Sequence, residues 1–133
     1  MFKYILMATI MMCPTLGFGI TLDDVLGNWS GFYRDATTTK SYASSLSVIK
    51  TDTAEYLGDW TIQVPAQTEF GLSTFYIEKN ESGVDEIYSC EQETSPERCT
   101  YWTFKTATTI RGERYEAQEG QAPKYIGYFY YKK

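Results

Sequence analysis

Histidine is absent from this 133-residue chain, and its absence excludes a good deal. Without imidazole there are no Ser-His or Cys-His catalytic pairs, no His-ligated zinc and no His-ligated haem. Basic residues are scarce as well, with 12 Lys and Arg against 17 Asp and Glu. A net charge of −5 gives no basic footprint for nucleic acid and no attraction to an anionic membrane surface. No apolar run reaches the roughly 18 residues of a membrane helix. Nor does any long stretch keep a helical period. The length suits one domain with one core.

What is present begins with a leader. Residues 1–19 read MFKYILMATIMMCPTLGFG. Lys3 supplies a positive start, residues 4–13 an apolar run, and Pro14 a break. Gly17 and Gly19 then place small residues ahead of a cut before Ile20. This is the layout of a secretory signal, which makes residues 20–133 the expected mature domain, secreted or periplasmic. A buried N-terminal element is the alternative. A lipid anchor at Cys13 fits less well, because Met12 stands where a lipobox has a small residue.

Removal of the leader leaves 11 basic and 17 acidic residues, a net of −6, and two of the three cysteines. Cys90 and Cys99 are separated by EQETSPER, a polar stretch that reads as a turn. An oxidising compartment should join them in a structural disulfide. A redox pair or a metal site calls for a tighter C-x-x-C or for more ligands.

The mature region is a row of short runs rich in Thr, Tyr, Val, Ile, Phe and Trp. Eight are legible, at 26–34, 41–50, 56–64, 70–79, 84–90, 99–107, 109–116 and 124–132. Gly, Asn, Asp and Pro clusters cut them apart, as Asn80-Glu81-Ser82-Gly83 does between the fourth and fifth. Such spacing predicts an all-β fold, most simply an eight-stranded antiparallel up-and-down barrel, with a β-sandwich as the alternative. Thr21 can cap one helical turn ahead of Asp23 and Asp24. In the last run Tyr125, Gly127, Phe129 and Tyr131 share one face, and Ile126, Tyr128 and Tyr130 the other. Both faces are apolar. Either the N-terminal segment covers the outer one, or an aromatic contact surface lies open there.

Leu26-Gly27-Asn28-Trp29 opens the first run. This G-x-W near a mature N-terminus, ahead of eight strands, resembles the calycin superfamily, and small lipocalin-like secreted domains in particular. The stretches from Thr109 to Gly112 and from Tyr128 to Lys133 also look like the closing strands of such domains. The resemblance implies that Trp29 plugs one barrel end and that a basic residue of the last strand covers it. Lys132 is the best-placed cation for that role and Arg111 the second. The middle lipocalin loop motif has no counterpart here, and biotin-contacting residues of avidin-like barrels find no match.

No catalytic constellation emerges, so no enzyme activity is expected. Asp23/Asp24 and Asp85/Glu86 are adjacent pairs, and adjacent strand residues face opposite sides. The acidic runs lack the calcium-loop pattern, and neither a metal nor a cofactor is expected. The sequons at Asn28 and Asn80 are short motifs, taken as unmodified.

Two functions remain open. One is a small, partly apolar ligand held in the barrel, with Trp60, Ile62 and Val64 on one wall. Tyr42, Leu46 and Val48 come from the preceding strand, and Tyr101 or Trp102 from across. The other is an interaction protein, such as an inhibitor of a secreted hydrolase, acting through rim loops or the aromatic last strand. A packed interior favours the second.

Overall fold

The computed structural model describes residues 19–133, so the expected signal segment up to residue 18, with Cys13, lies outside the described residues. A 3₁₀ turn, Leu22–Val25, leads into β1 (Gly27–Asp35), β2 (Ser41–Lys50), β3 (Tyr56–Val64) and β4 (Gln67–Lys79). Then follow β5 (Asp85–Glu91), β6 (Arg98–Thr106), β7 (Thr109–Gln118) and β8 (Gln121–Lys132). Each strand pairs antiparallel with the next, and β8 pairs with β1. The sheet is therefore an all-β, closed, up-and-down barrel rather than a sandwich, and closure leaves no free edge. Among the described residues no helix is long and apolar enough to cross a membrane.

β2 and β3 have the bounds of the runs at 41–50 and 56–64, and the other strands differ from theirs by one to three residues. β4 begins early because Pro65 and Ala66, the latter at φ 76°, close a tight turn that pairs Val64 with Gln67. β8 runs through Pro123, which falls at a register shift between the pairs Gln118–Gln121 and Glu116–Lys124. A residue lacking an N–H is tolerated at such an irregularity.

Inward faces supply the core. Trp29 and Tyr33 come from β1, Leu46 and Val48 from β2, Trp60 and Ile62 from β3, and Phe75, Ile87, Trp102, Ile110, Phe129 and Tyr131 from the remaining strands. A second register shift, between Arg114 and Tyr115, corrects the reading of β8. It pairs Tyr125 with Tyr115 on the outer wall, while Phe129 and Tyr131 stay in the core. Gly127 follows the shift. A Cβ there would lie 2.3 Å from the Tyr33 hydroxyl, which donates a 2.9 Å hydrogen bond to the Ile126 carbonyl.

Among the described residues, the N-terminal segment does not lie over the outer face of β8. Its Ile20, Leu22 and Leu26 pack against the core instead. Two bonds fix them there: Trp29 Nε1 donates to the Val25 carbonyl at 2.8 Å, and the Tyr56 hydroxyl donates to Asp23. Tyr128 and Tyr130 are half-covered by their neighbours. Phe32 stands 5.9 and 5.7 Å from their rings, and Arg111 lies 3.8 Å over Tyr128.

Candidate functional site

Three places could carry function: the barrel floor, the interior and the outer wall. At the floor, Trp29 is 1% exposed and covered by a cation, but that cation is Lys133, 4.8 Å from the ring centroid. Lys132 does not reach it. Tyr131 points inward, so Lys132 points out and Lys133 turns back towards the Trp29 side. Gly27 makes room for that side chain. Its φ is +118°, and a Cβ on it would meet Lys133 Cε at 2.9 Å. Arg111, the second choice, is on the outer wall over Tyr128.

In the interior, the residues expected to line a ligand face inward but meet one another. Leu46, Trp60 and Trp102 border a void with Ser73, Phe75 and Ser89, and its volume is ≈ 10 Å³. Ile62 and Val48 are buried in the same core, while Tyr42 and Val64 pack at its margin. Register decides between the two cross-barrel candidates: Trp102 is 9% exposed and Tyr101 is 47% exposed, on the outside. Trp102 Nε1 donates to Ser89 Oγ at 2.9 Å, and the Tyr131 hydroxyl shares a 2.6 Å hydrogen bond with Ser44. Burial raises the Tyr131 pKa.

The interior also holds an ion pair that sequence reading missed. Glu91 of β5 and Arg114 of β7 are both buried. Arg114 Nε donates to Glu91 Oε2 at 2.7 Å and Nη2 donates to Oε1 at 2.9 Å. Arg98 Nε adds a third bond to Glu91, at 3.2 Å. The Arg114 guanidinium also lies 5.2 Å from the Tyr33 and Trp60 rings and 5.7 Å from Phe129. Desolvation works against its charge, but the Glu91 bonds outweigh it and the pKa is raised. The signal was there in principle: Arg114 shares the parity of Ile110, which is inward.

On the outer wall the structure assembles a row of tyrosines from five consecutive strands. Tyr76, Tyr88 and Tyr101 pair directly across β4, β5 and β6. Their rings stack at 5.1 and 5.6 Å. Tyr115 continues the row edge-on at 6.1 Å, and Tyr125 ends it 5.6 Å further on. The Tyr88 hydroxyl donates to Glu78 Oε2 at 2.7 Å, and that bond, with some desolvation, pushes its pKa up to about 12. Cys90 and Cys99 are cross-strand partners and form the disulfide on this same wall, with Cα atoms 4.1 Å apart. Tyr76, Tyr88, Tyr101, the disulfide and the carboxylates of Glu78, Glu86 and Glu97 enclose an open groove of ≈ 480 Å³. Glu97 lies within 4.8 Å of both sulfurs, but oxidised sulfur offers no thiolate for a metal.

Fold and surface together define a closed eight-stranded antiparallel barrel with a filled interior and an aromatic, acidic outer wall. No family model, no curated protein and no solved structure matches the chain.

Proposed function

We propose that this is a small exported barrel of lipocalin-like form that acts by contact with a partner protein, without catalysis and without a carried ligand. The filled interior carries the reading. A void of ≈ 10 Å³ has space for about one water, whereas pockets for small molecules run to several hundred Å³. Export is supported by the leader-like residues 1–19 and by the Cys90–Cys99 disulfide, which persists in oxidising compartments. Against catalysis stand the missing histidine and the engagement of the buried Glu91 carboxylate by Arg114. An inhibitor of a secreted hydrolase belongs to this class of protein.

Native mass spectrometry of the exported protein tests the proposal, together with a panel of fluorescent apolar probes. The expected mass is that of the polypeptide with one disulfide, and no probe should quench tryptophan emission saturably. A retained small molecule, or saturable quenching, would return function to the interior.

A further inference from the structure

Resting on the reading that this protein acts by contact with a partner protein, we infer that the groove beside Tyr88 and the disulfide seats arginine side chains of a basic protein partner. Charge is the first reason. The groove is bordered by Glu78, Glu86 and Glu97, and among the described residues its one lining cation, Lys79, is already bonded to Asp85 at 2.9 Å. Glu78 accepts the Tyr88 hydroxyl. Glu86 and Glu97 have no side-chain hydrogen bond or ion pair among the described residues. Carboxylates held this way attract cations and repel anionic lipid.

The second reason is a precedent on the same wall. Arg111 lays its guanidinium 3.8 Å over the Tyr128 ring while its Nε stands 3.6 Å from Glu113 Oε2. Glu113 is the cross-strand partner of Tyr101, so this arrangement adjoins the row. Around the groove the same two components recur, exposed tyrosine rings and carboxylates, and among the described residues no arginine lines it. Tyr76 and Tyr101 are 42% and 47% exposed, which leaves ring surface for such a contact. A guanidinium is planar, stacks on an aromatic face and can bond a carboxylate through two N–H groups at once, whereas an ammonium is a point charge. The disulfide ties β5 to β6 beneath the groove and so sets its shape before binding.

Fluorescence anisotropy with labelled hexa-arginine and hexalysine peptides on the disulfide-bonded protein tests this directly. At about 0.15 M salt, where charges beyond about 8 Å are screened, the arginine peptide should bind about threefold or more tighter than the lysine peptide. Either Tyr101→Leu or the pair Glu86→Gln with Glu97→Gln should weaken the arginine peptide about fivefold, as loss of a ring or charge contact does. Tyr101→Phe should restore it. Asp52→Asn with Glu55→Gln, an equal loss of charge on the turn between β2 and β3, should leave affinity unchanged. Equal affinity for the two peptides, an equal effect of the distant pair, or no binding would overturn the assignment of this groove. With a ligand-free native mass, those outcomes remove only the groove and leave the partner-protein reading. A retained interior ligand removes the reading itself.

Discussion

Lys133 holds its ammonium 4.8 Å from the centre of the Trp29 ring, and it reaches there across the bare Cα of Gly27. The two ends of the G-x-W motif thus have one purpose: the glycine admits the lysine that the tryptophan receives. Lys133→Met should lower stability by about 0.5–2 kcal/mol, the range of cation–π contacts, and Lys132→Met should leave it unchanged. Trp29→Ala should cost about 3–5 kcal/mol. Urea unfolding of the three variants compares them on one scale.

The Glu91–Arg114 pair makes a prediction of opposite sign for single and double changes. Arg114→Met leaves the Glu91 carboxylate buried with Arg98 alone, and should destabilise by about 3–5 kcal/mol. Replacing both, as Glu91→Leu with Arg114→Met, should bring stability back to that of the parent or above it. Thermal unfolding of the single and the double variant reads the difference.

Opening the disulfide should weaken the barrel without abolishing it. Cys90→Ser with Cys99→Ser is expected to cost roughly 2–4 kcal/mol in urea unfolding. The native parent should show no reactive thiol at Cys90 or Cys99 in a thiol titration.

Alkaline pH should act through the phenols. The hydrogen bond to Glu78 raises Tyr88 to about 12, and burial raises Tyr131 and Tyr33. A phenol with a raised folded pKa contributes its stability fully below the unfolded value of about 10 and loses it as pH climbs through the folded value. Stability should therefore decline across about pH 10 to 12, and phenolate absorbance should show late-titrating tyrosines. Tyr88→Phe should remove one of the late components. Level stability through that window would contradict the assignment.

Much of the barrel was legible because alternation and turn chemistry act locally. The run at 56–64 coincides with β3, and Trp60 and Ile62, placed on one wall by their spacing, are on its inner face while Asp59 and Gln63 are exposed. Relations between strands were less legible, since they depend on register. Tyr76, Tyr88 and Tyr101 lie in three separate runs, and only pairing places them in one row. Arg114 was missed because an arginine between Glu113 and Tyr115 reads as part of a wet face, until Glu91 is known to meet it in the interior. The lysine over Trp29 was within reach. With Tyr131 assigned inward, parity alone selects Lys133 over Lys132.

Closure has a consequence for recognition. Partners of open sheets can add a strand to an unpaired edge and bind through main-chain hydrogen bonds whatever the local sequence. Here β1 and β8 have spent those bonds on each other. On the proposed reading, a partner is recognised by side chains standing off the wall or by the rim loops, not by strand addition. On the groove proposed above, affinity and selectivity lie in positions such as Glu86, Glu97 and Tyr101, which can be exchanged singly without disturbing the backbone ladder. The same barrel can be readdressed to a new partner while its interior stays as it is.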